Sequence, residues 1–506
     1  MSTHSEQATS WQQEQGIRTT TELAFPPGFR FGAATAAFQI EGAAAEDGRG
    51  DSIWDAFCRV PGAVHAGDDG AVATDHYHRM PADVALMREL GLGTYRFSTS
   101  WARIKPDDAA VNPAGLDFYS RLVDELLEAG IDPWLTLYHW DLPQALQERG
   151  GWAVRDTAHR FADFAADVFD ALSDRVRLWT TLNEPWCSAF LSYAAGEHAP
   201  GHTSPAEAVS AAHHLMLGHG LALQRMRAAA GGEHRFGITL NLTVADPADP
   251  EDPADVDAAR RVDGAFNRVF LDPLFRGSYP ADVVRDMAAA GLGRHVEDGD
   301  LELIGAPIDV LGVNYYNGGL AAGPAGPSFP APGGTGEDGY TYLSERGLPR
   351  RSPFVGSEML RPVDRPLPRT AMGWEVQPEG LTRLLLRLHR EYTGPASVPI
   401  VITENGAAYD DVPGTDGTVD DSATRLAYVD AHLRAVHRAI GEGVDVRGYL
   451  LWSLLDNFEW AFGYSKRFGM VHVDYETLER TPKASARWYA QVARTGVVPP
   501  LPDAAR

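Results

Sequence analysis

Eight short apolar runs with β character punctuate the chain, and each is separated from the next by amphipathic or Ala-rich helical stretches. The runs are FRFGAATA from Phe29, TYRFSTSW from Thr94, DPWLTLYHW from Asp132, VRLWTTLNEP from Val176, FGITLNL from Phe236, DVLGVNYY from Asp309, PIVITENG from Pro399 and VRGYLLWSLLD from Val446. Between them lie segments such as PADVALMRELG, GLDFYSRLVDELLEAG and TAHRFADFAADVFDALSD, the last two with apolar residues at helical spacing. Strands that alternate with helices build a parallel sheet. Eight of them predict closure into a single α/β barrel of the (β/α)8 type, whose chemistry sits at the C-terminal strand ends. The competing fold, an open doubly wound sheet, calls for a Gly-rich phosphate turn after an early strand, and AFQIEG stands there instead. We expect one barrel domain over residues 21–506, with 1–20 as a disordered tail. The stretch between the sixth and seventh runs is the longest, and its 318–368 portion is rich in Gly and Pro, which reads as a structureless lid.

Composition narrows the function. The chain has 506 residues and a net charge of −25, which argues against general nucleic-acid or anionic-membrane binding. No apolar run is long enough for a membrane span. The start, MSTHSEQATSWQQEQG, lacks the pattern of a secretory signal, so a soluble cytoplasmic protein is expected. Two cysteines, Cys58 and Cys187, are too few for a disulfide framework or a cysteine metal cluster.

The residues that terminate the strands are the informative ones. They are Gln39 and Glu41 after the first, His139 and Trp140 after the third, Asn183 and Glu184 after the fourth, Asn314 and Tyr316 at the sixth, Glu404 and Asn405 at the seventh, and Trp452 at the eighth. Two carboxylates, Glu184 and Glu404, are thus delivered to nearly buried ends, where isolated charge is costly. One explanation is a structural ion pair with an inward-pointing Arg96, which accounts for one glutamate. The other is a carboxylate pair for acetal chemistry, one attacking an anomeric carbon while the other, kept protonated by burial and its neighbour's charge, donates to the leaving oxygen. An amide such as Asn183 can bind a sugar 2-hydroxyl in the same reaction. Adjacent residues on a regular pleat face opposite ways, so the strand must break at Asn183-Glu184, and Pro185 is a suitable breaker.

Other signals carry bland readings. The HxH of Asp75-His76-Tyr77-His78 precedes a helix and reads as surface or interface histidines. His213, His214 and His219 share one helix without an HExxH and read as packing or capping groups. The sequon Asn241-Leu242-Thr243 lies in a strand. Cys187, three residues after Glu184, lacks a general-base partner in its motif and reads as a small apolar filler. The aspartate-rich 246–255 stretch reads as a solvated loop.

The ordered motifs FRFGAATAAFQIEG, YRFSTSWARI, LYHWDLPQAL, TLNEPW, GVNYY, ITENGAAY and LLWSLLDNFEWAFGYSKRFGMVHVDY resemble glycoside hydrolase family 1, most of all its bacterial β-glucosidases. The resemblance runs over about residues 25–492. It implies that Glu184 is the general acid/base and Glu404 the nucleophile of a retaining mechanism, with carboxyls about 5 Å apart. It also implies sugar-binding roles for Gln39, His139, Asn183, Glu459 and Trp460, a platform role for Trp452, and places for Asn314 and Tyr316 beside the nucleophile. Trp186, His198 and Trp374 match positions on the leaving-group side. The family's phospho-glycosidases carry serine at the Glu459 position and tyrosine at the Phe468 position, so Glu459 and Phe468 imply a neutral sugar; a carboxylate would repel a phosphate. Glu184 itself separates the chain from the family's thioglucoside specialists, which lack the acid.

The resulting expectation is a retaining exo-β-glycosidase for terminal β-D-glucosyl, and also galactosyl or fucosyl, residues of neutral oligosaccharides and aryl or alkyl glycosides. It needs no cofactor and no metal, and its partners are small neutral β-glycosides rather than nucleic acid or membrane; whether the chain forms a homo-oligomer is not decided by the sequence. The alternatives are a transglycosidase on the same scaffold, a catalytically silent sugar-binding barrel, and a metal-dependent amidohydrolase barrel. The last needs His/Asp ligands on several strand ends, which the sequence does not supply.

Overall fold

In the computed structural model, which describes residues 20–324, 341–343, 346 and 349–501, the eight apolar runs become eight parallel strands. They are β1 (Arg30–Ala34), β2 (Thr94–Ser98), β3 (Asp132–Tyr138), β4 (Leu178–Asn183), β5 (Arg235–Asn241), β6 (Val310–Asn314), β7 (Ile400–Asn405) and β8 (Val446–Trp452). Each pairs with its sequence neighbours, β8 pairs with β1, and the sheet closes as a barrel. Every residue of β2, β4, β6 and β7 is buried, as parallel strands covered on both faces require.

The outer layer holds α1 (His76–Leu90), α2 (Pro113–Glu128), α3 (Asp156–Leu172), α4 (Pro205–Ala229), α5 (Pro253–Asp263), α6 (Pro378–Leu388), α7 (Ala427–Gly441) and α8 (Ala484–Thr495). Their starts are chemically legible. Pro occupies the first helical turn of α2, α4, α5 and α6, where its missing N–H costs nothing. Ser204 and Asp252 cap α4 and α5 by accepting from Glu207 N and Ala254 N. Inside the barrel Trp134, Leu178, Val310, Val401 and Leu450 form their own buried cluster. Leu178 and Val310 open their strands, so this packing fills the barrel toward its N-terminal end and leaves the C-terminal strand ends to line a cavity.

Three expectations are corrected. Helix α1 begins at His76 rather than after the HxH, and His76 is buried, its Nδ1 2.8 Å from Asp83 Oδ2; only His78 lies at the surface. The described parts of the 318–368 stretch are not structureless: Gly319–Ala322 pairs with Arg361–Val363 and with Ala245–Pro247 in a small sheet, and Thr341–Leu343 pairs with Pro349–Arg351; residues 325–340, 344–345 and 347–348 of the expected lid lie outside the described residues. The aspartates of 246–255 are engaged rather than merely solvated, with Asp246 held by Arg365 and Arg383 and Asp255 accepting from Asp249 N and Gly323 N. The tail expected over 1–20 falls, except for Thr20, outside the described residues.

Candidate active site

The C-terminal ends of β3, β4, β6, β7 and β8 surround a cavity of about 360 Å³. Of the residues singled out from the sequence, Glu184, Glu404, His139, Asn314, Tyr316, Trp452, Glu459, Trp460, Trp186, His198, Trp374 and Phe468 all line it. Gln39 and Asn183 do not. Both are fully buried, Gln39 donating to Phe458 O and Asn457 Oδ1, Asn183 bonded to Arg96, Asn314 and His139.

The break in β4 has a clear local cause. The pairing with β5 slips between Thr180 and Asn183, and Glu184 takes a left-handed backbone, φ 48°. Its N–H still donates to Thr239 O at 2.9 Å, so the strand end stays anchored while the side chain turns into the cavity. Pro185 then opens the helical turn that leads into Cys187–Ala195. A similar slip, between Ile402 and Glu404, accompanies the other carboxylate on β7. Beyond it Gly406 is obligatory, because a Cβ there would lie 1.7 Å from Trp452 O.

The two carboxyls have different surroundings. Glu404 accepts from Arg96 Nη1 at 2.6 Å and from the Tyr316 hydroxyl at 2.7 Å, and all three side chains are buried or nearly so. Glu184 accepts from Asn314 Nδ2 at 2.6 Å on one oxygen and from the Cys187 thiol at 3.2 Å on the other. Burial raises both carboxyls above their ordinary range, but Arg96 and Tyr316 pull Glu404 back. Glu184 has the charge of Glu404 as a neighbour instead of a cation of its own, and burial and that charge push it up to about 8. Glu404 therefore ionises first and Glu184 retains its proton at neutral pH. Burial, followed by the charge on Glu404, keeps the Tyr316 hydroxyl far above the ordinary phenol value, so it remains a donor.

Around this pair the cavity is aromatic. The His139 ring lies near-parallel to both Trp452 and Trp460, at 5.7 and 5.9 Å between centroids. Tyr316, Trp374 and Phe468 form a second group at 5.4–6.1 Å. Burial and then Arg96 hold His139 neutral, well below the usual imidazole value. Since Asn183 Nδ2 donates to His139 Nε2 at 3.0 Å, the proton resides on Nδ1, which has no partner among the described residues. Gln39 Oε1 is likewise buried without a partner.

Several relations were not legible in the sequence. The Arg96 ion pair and the carboxylate pair, weighed as rivals, coexist: Arg96 is the cation that keeps one carboxylate charged. Asn314 lies beside Glu404 as expected, its partner across the β6–β7 pair, but it also donates to Glu184, and it is oriented by Thr403, whose Oγ1 donates to Asn314 Oδ1 at 2.7 Å. Cys187 is no mere filler, because its thiol touches Glu184. Phe266 and Phe354, which flank Trp186 at 4.2 and 6.2 Å, were not singled out at all; they come from a crossover and from the long sixth-to-seventh connection, where no periodic pattern marks them. The histidines of α4 are structural, as expected: His213 bonds Asp300, His214 bonds Trp152 O and His219 bonds Thr181.

A family model described as glycosyl hydrolase family 1 matches residues 21–497. The chain is 50% identical over 475 residues to thermostable beta-glucosidase B of Thermobispora bispora, covering 94% of this chain and 91% of that protein. It is 48% identical over 483 residues to a bifunctional beta-D-glucosidase/beta-D-fucosidase of Bifidobacterium breve, covering 92% and 97%. Among solved structures, the psychrophilic beta-glucosidase BglU from Micrococcus antarcticus superposes with a TM-score of 0.87 at 55% identity, covering 93% of this chain and 98% of that one.

Proposed function

The chain belongs to glycosyl hydrolase family 1, and from that premise we propose that it is a retaining exo-β-glycosidase that removes terminal β-D-glucosyl residues, with Glu404 as nucleophile and Glu184 as acid/base. The observation that carries this reading is the unequal pair: an anionic Glu404 held by Arg96 and Tyr316, facing a Glu184 that keeps its proton to about pH 8.

The chemistry follows from that inequality. A Glu404 oxygen attacks the anomeric carbon as the glycosidic bond breaks, and the Glu184 proton passes to the departing oxygen. The sugar is now an ester of Glu404, whose charge is gone. With that repulsion removed the pKa of Glu184 falls, so the carboxylate left after the first step can take a proton from water. The water oxygen attacks the same carbon, the ester bond breaks, and Glu404 leaves as carboxylate with the anomeric configuration retained.

A buried group on the cavity wall supports a hydroxyl-rich occupant: His139 Nδ1–H, without a partner among the described residues, is a donor that a sugar hydroxyl satisfies. Trp452 offers an apolar face to the C–H side of the ring, and Glu459 is an acceptor for its outer hydroxyls, with no cost for a neutral hexose and repulsion for a phosphorylated one. The relative from Bifidobacterium breve, whose name includes beta-D-fucosidase, supports extending the substrates to β-fucosides. Natural substrates on this reading are short neutral β-glycosides, cello-oligosaccharides and aryl glucosides among them.

The test is p-nitrophenol release from the β-glucoside, β-galactoside, β-fucoside and β-glucoside 6-phosphate. The wild type is expected to cleave the neutral glycosides in preference to the phosphate ester. Glu404→Ala is expected to lose on the order of 10⁴-fold or more, and azide to restore turnover as an α-glycosyl azide. Exclusive cleavage of the phosphate ester, or an active Glu404→Ala without azide, would overturn the assignment.

A further inference from the structure

The acid/base carboxyl has a thiol for a neighbour, and the contact is built rather than incidental. Cys187 follows Glu184 by three residues at the start of the wide-turned helix Cys187–Ala195, so its side chain comes back over the strand end. The Cys187 N–H donates to Glu184 O at 3.0 Å, and its Sγ lies 3.2 Å from Glu184 Oε2. On its far side the sulfur accepts from Asn241 Nδ2, 3.5 Å away at the end of β5. With the amide hydrogen directed at the sulfur, the S–H is left to point at the carboxylate. Asn314 Nδ2 occupies Glu184 Oε1 at 2.6 Å, so each carboxyl oxygen has one fixed donor.

We propose that Cys187 is a positioning residue for the acid/base: its thiol, oriented by Asn241, donates to Glu184 Oε2 and, with Asn314, fixes the plane of the carboxyl so that its proton projects into the cavity. The proposal rests on the assignment of Glu184 made above and deepens it. A donor on Oε2 favours the ionised carboxyl, and it therefore opposes the rise that burial and Glu404 impose. Both halves of the reaction depend on this balance. The first needs Glu184 protonated, and the second needs it able to accept a proton from water. Losing the thiol makes Glu184 a more persistent acid and a less available base. An apolar filler of the same volume would do neither.

The experiment compares Cys187→Val, Cys187→Ala and Cys187→Ser, the first two lacking a donor and the third keeping one. The readouts are the pH profile of kcat/KM for an alkyl glucoside, which needs acid assistance, and kcat for a 2,4-dinitrophenyl glucoside, whose slow step is hydrolysis of the glycosyl-enzyme. In Val and Ala the alkaline limb of kcat/KM is expected to move to higher pH by about 0.5–1 unit, the size of one modest hydrogen bond to a carboxylate. At pH 6, kcat for the activated substrate is expected to fall several-fold in the same variants. Cys187→Ser should return both readouts toward the wild type. An unmoved alkaline limb in any folded Val or Ala variant overturns the proposal, and so does a Ser variant that behaves like Val. Glu184→Ala is the control for the underlying assignment: if it still cleaves the alkyl glucoside, Glu184 is not the acid; if it does not, a failure of the Cys187 series counts against the thiol alone.

Discussion

Glu184 is held in a state that its own ordinary pKa would not give it, and the fold bears a cost for that. In an unfolded chain the carboxyl ionises near its usual value; in the native cavity it keeps its proton to about pH 8. A carboxyl whose native pKa is raised opposes folding increasingly as pH climbs from the unfolded to the folded value. Glu184→Gln removes the titration while retaining an amide of the same shape. The variant is expected to melt about 2–4 °C above the wild type at pH 8, a difference that vanishes near pH 4; differential scanning calorimetry across that range checks it. A variant with no pH-dependent gain would mean that Glu184 is not held protonated. At this scale the sequence showed which residues reach the rim, because Glu184 and Glu404 each follow an apolar run. It did not show who touches whom. The break at Asn183-Glu184 and an ion pair with Arg96 were legible as candidates, but that Arg96 reaches Glu404, Asn314 reaches Glu184 and Cys187 donates to Oε2 depends on strand registers that no motif specifies.

The elements that hold these residues were legible for a physical reason. Parallel strands buried on both faces are short continuous apolar runs, and all eight stood out against their amphipathic helices. Where the signal is weaker the reading failed: α1 opens on the polar-rich His76–Arg79 and carries Pro81 in its second turn, and the described strands in the 318–368 region are short and pair with distant partners. The tightest constraint at this scale is the approach of β7 to β8 at Gly406. Because a Cβ would collide with the Trp452 carbonyl, Gly406→Ala must push the two strand ends apart and shift Glu404 relative to Trp452. We expect a destabilisation of about 3 kcal/mol or more, read by denaturant unfolding, together with a loss of kcat exceeding the loss in KM. An Ala variant of wild-type stability would contradict the described strand spacing.

Across the whole molecule, the loops that follow β7 and β8 are tied to the chain leading into α8 by a buried ionic network. Lys483 contacts Asp411 at 2.6 Å and Asp456 at 2.7 Å, while Arg425 contacts Asp411 and Asp421, each at 2.7 Å. Burial, with Arg425 next, lowers the pKa of Lys483, but two carboxylates keep it paired. Removing one member strands its partners without water, so Lys483→Met is expected to cost about 3–5 kcal/mol and to lower the melting temperature by several degrees. A neutral effect in calorimetry would show the network to be dispensable. This network ties down the strand ends that carry Glu404 and Trp452, and on the function proposed above the central act of the carboxylate pair is a covalent ester on Glu404. A 2-deoxy-2-fluoro-β-glucoside with a good leaving group slows both halves of the reaction and lets that ester accumulate. Peptide mapping by mass spectrometry after such inactivation is predicted to place one fluoroglucosyl group on Glu404. No covalent adduct, or a label on Glu184, would contradict the account.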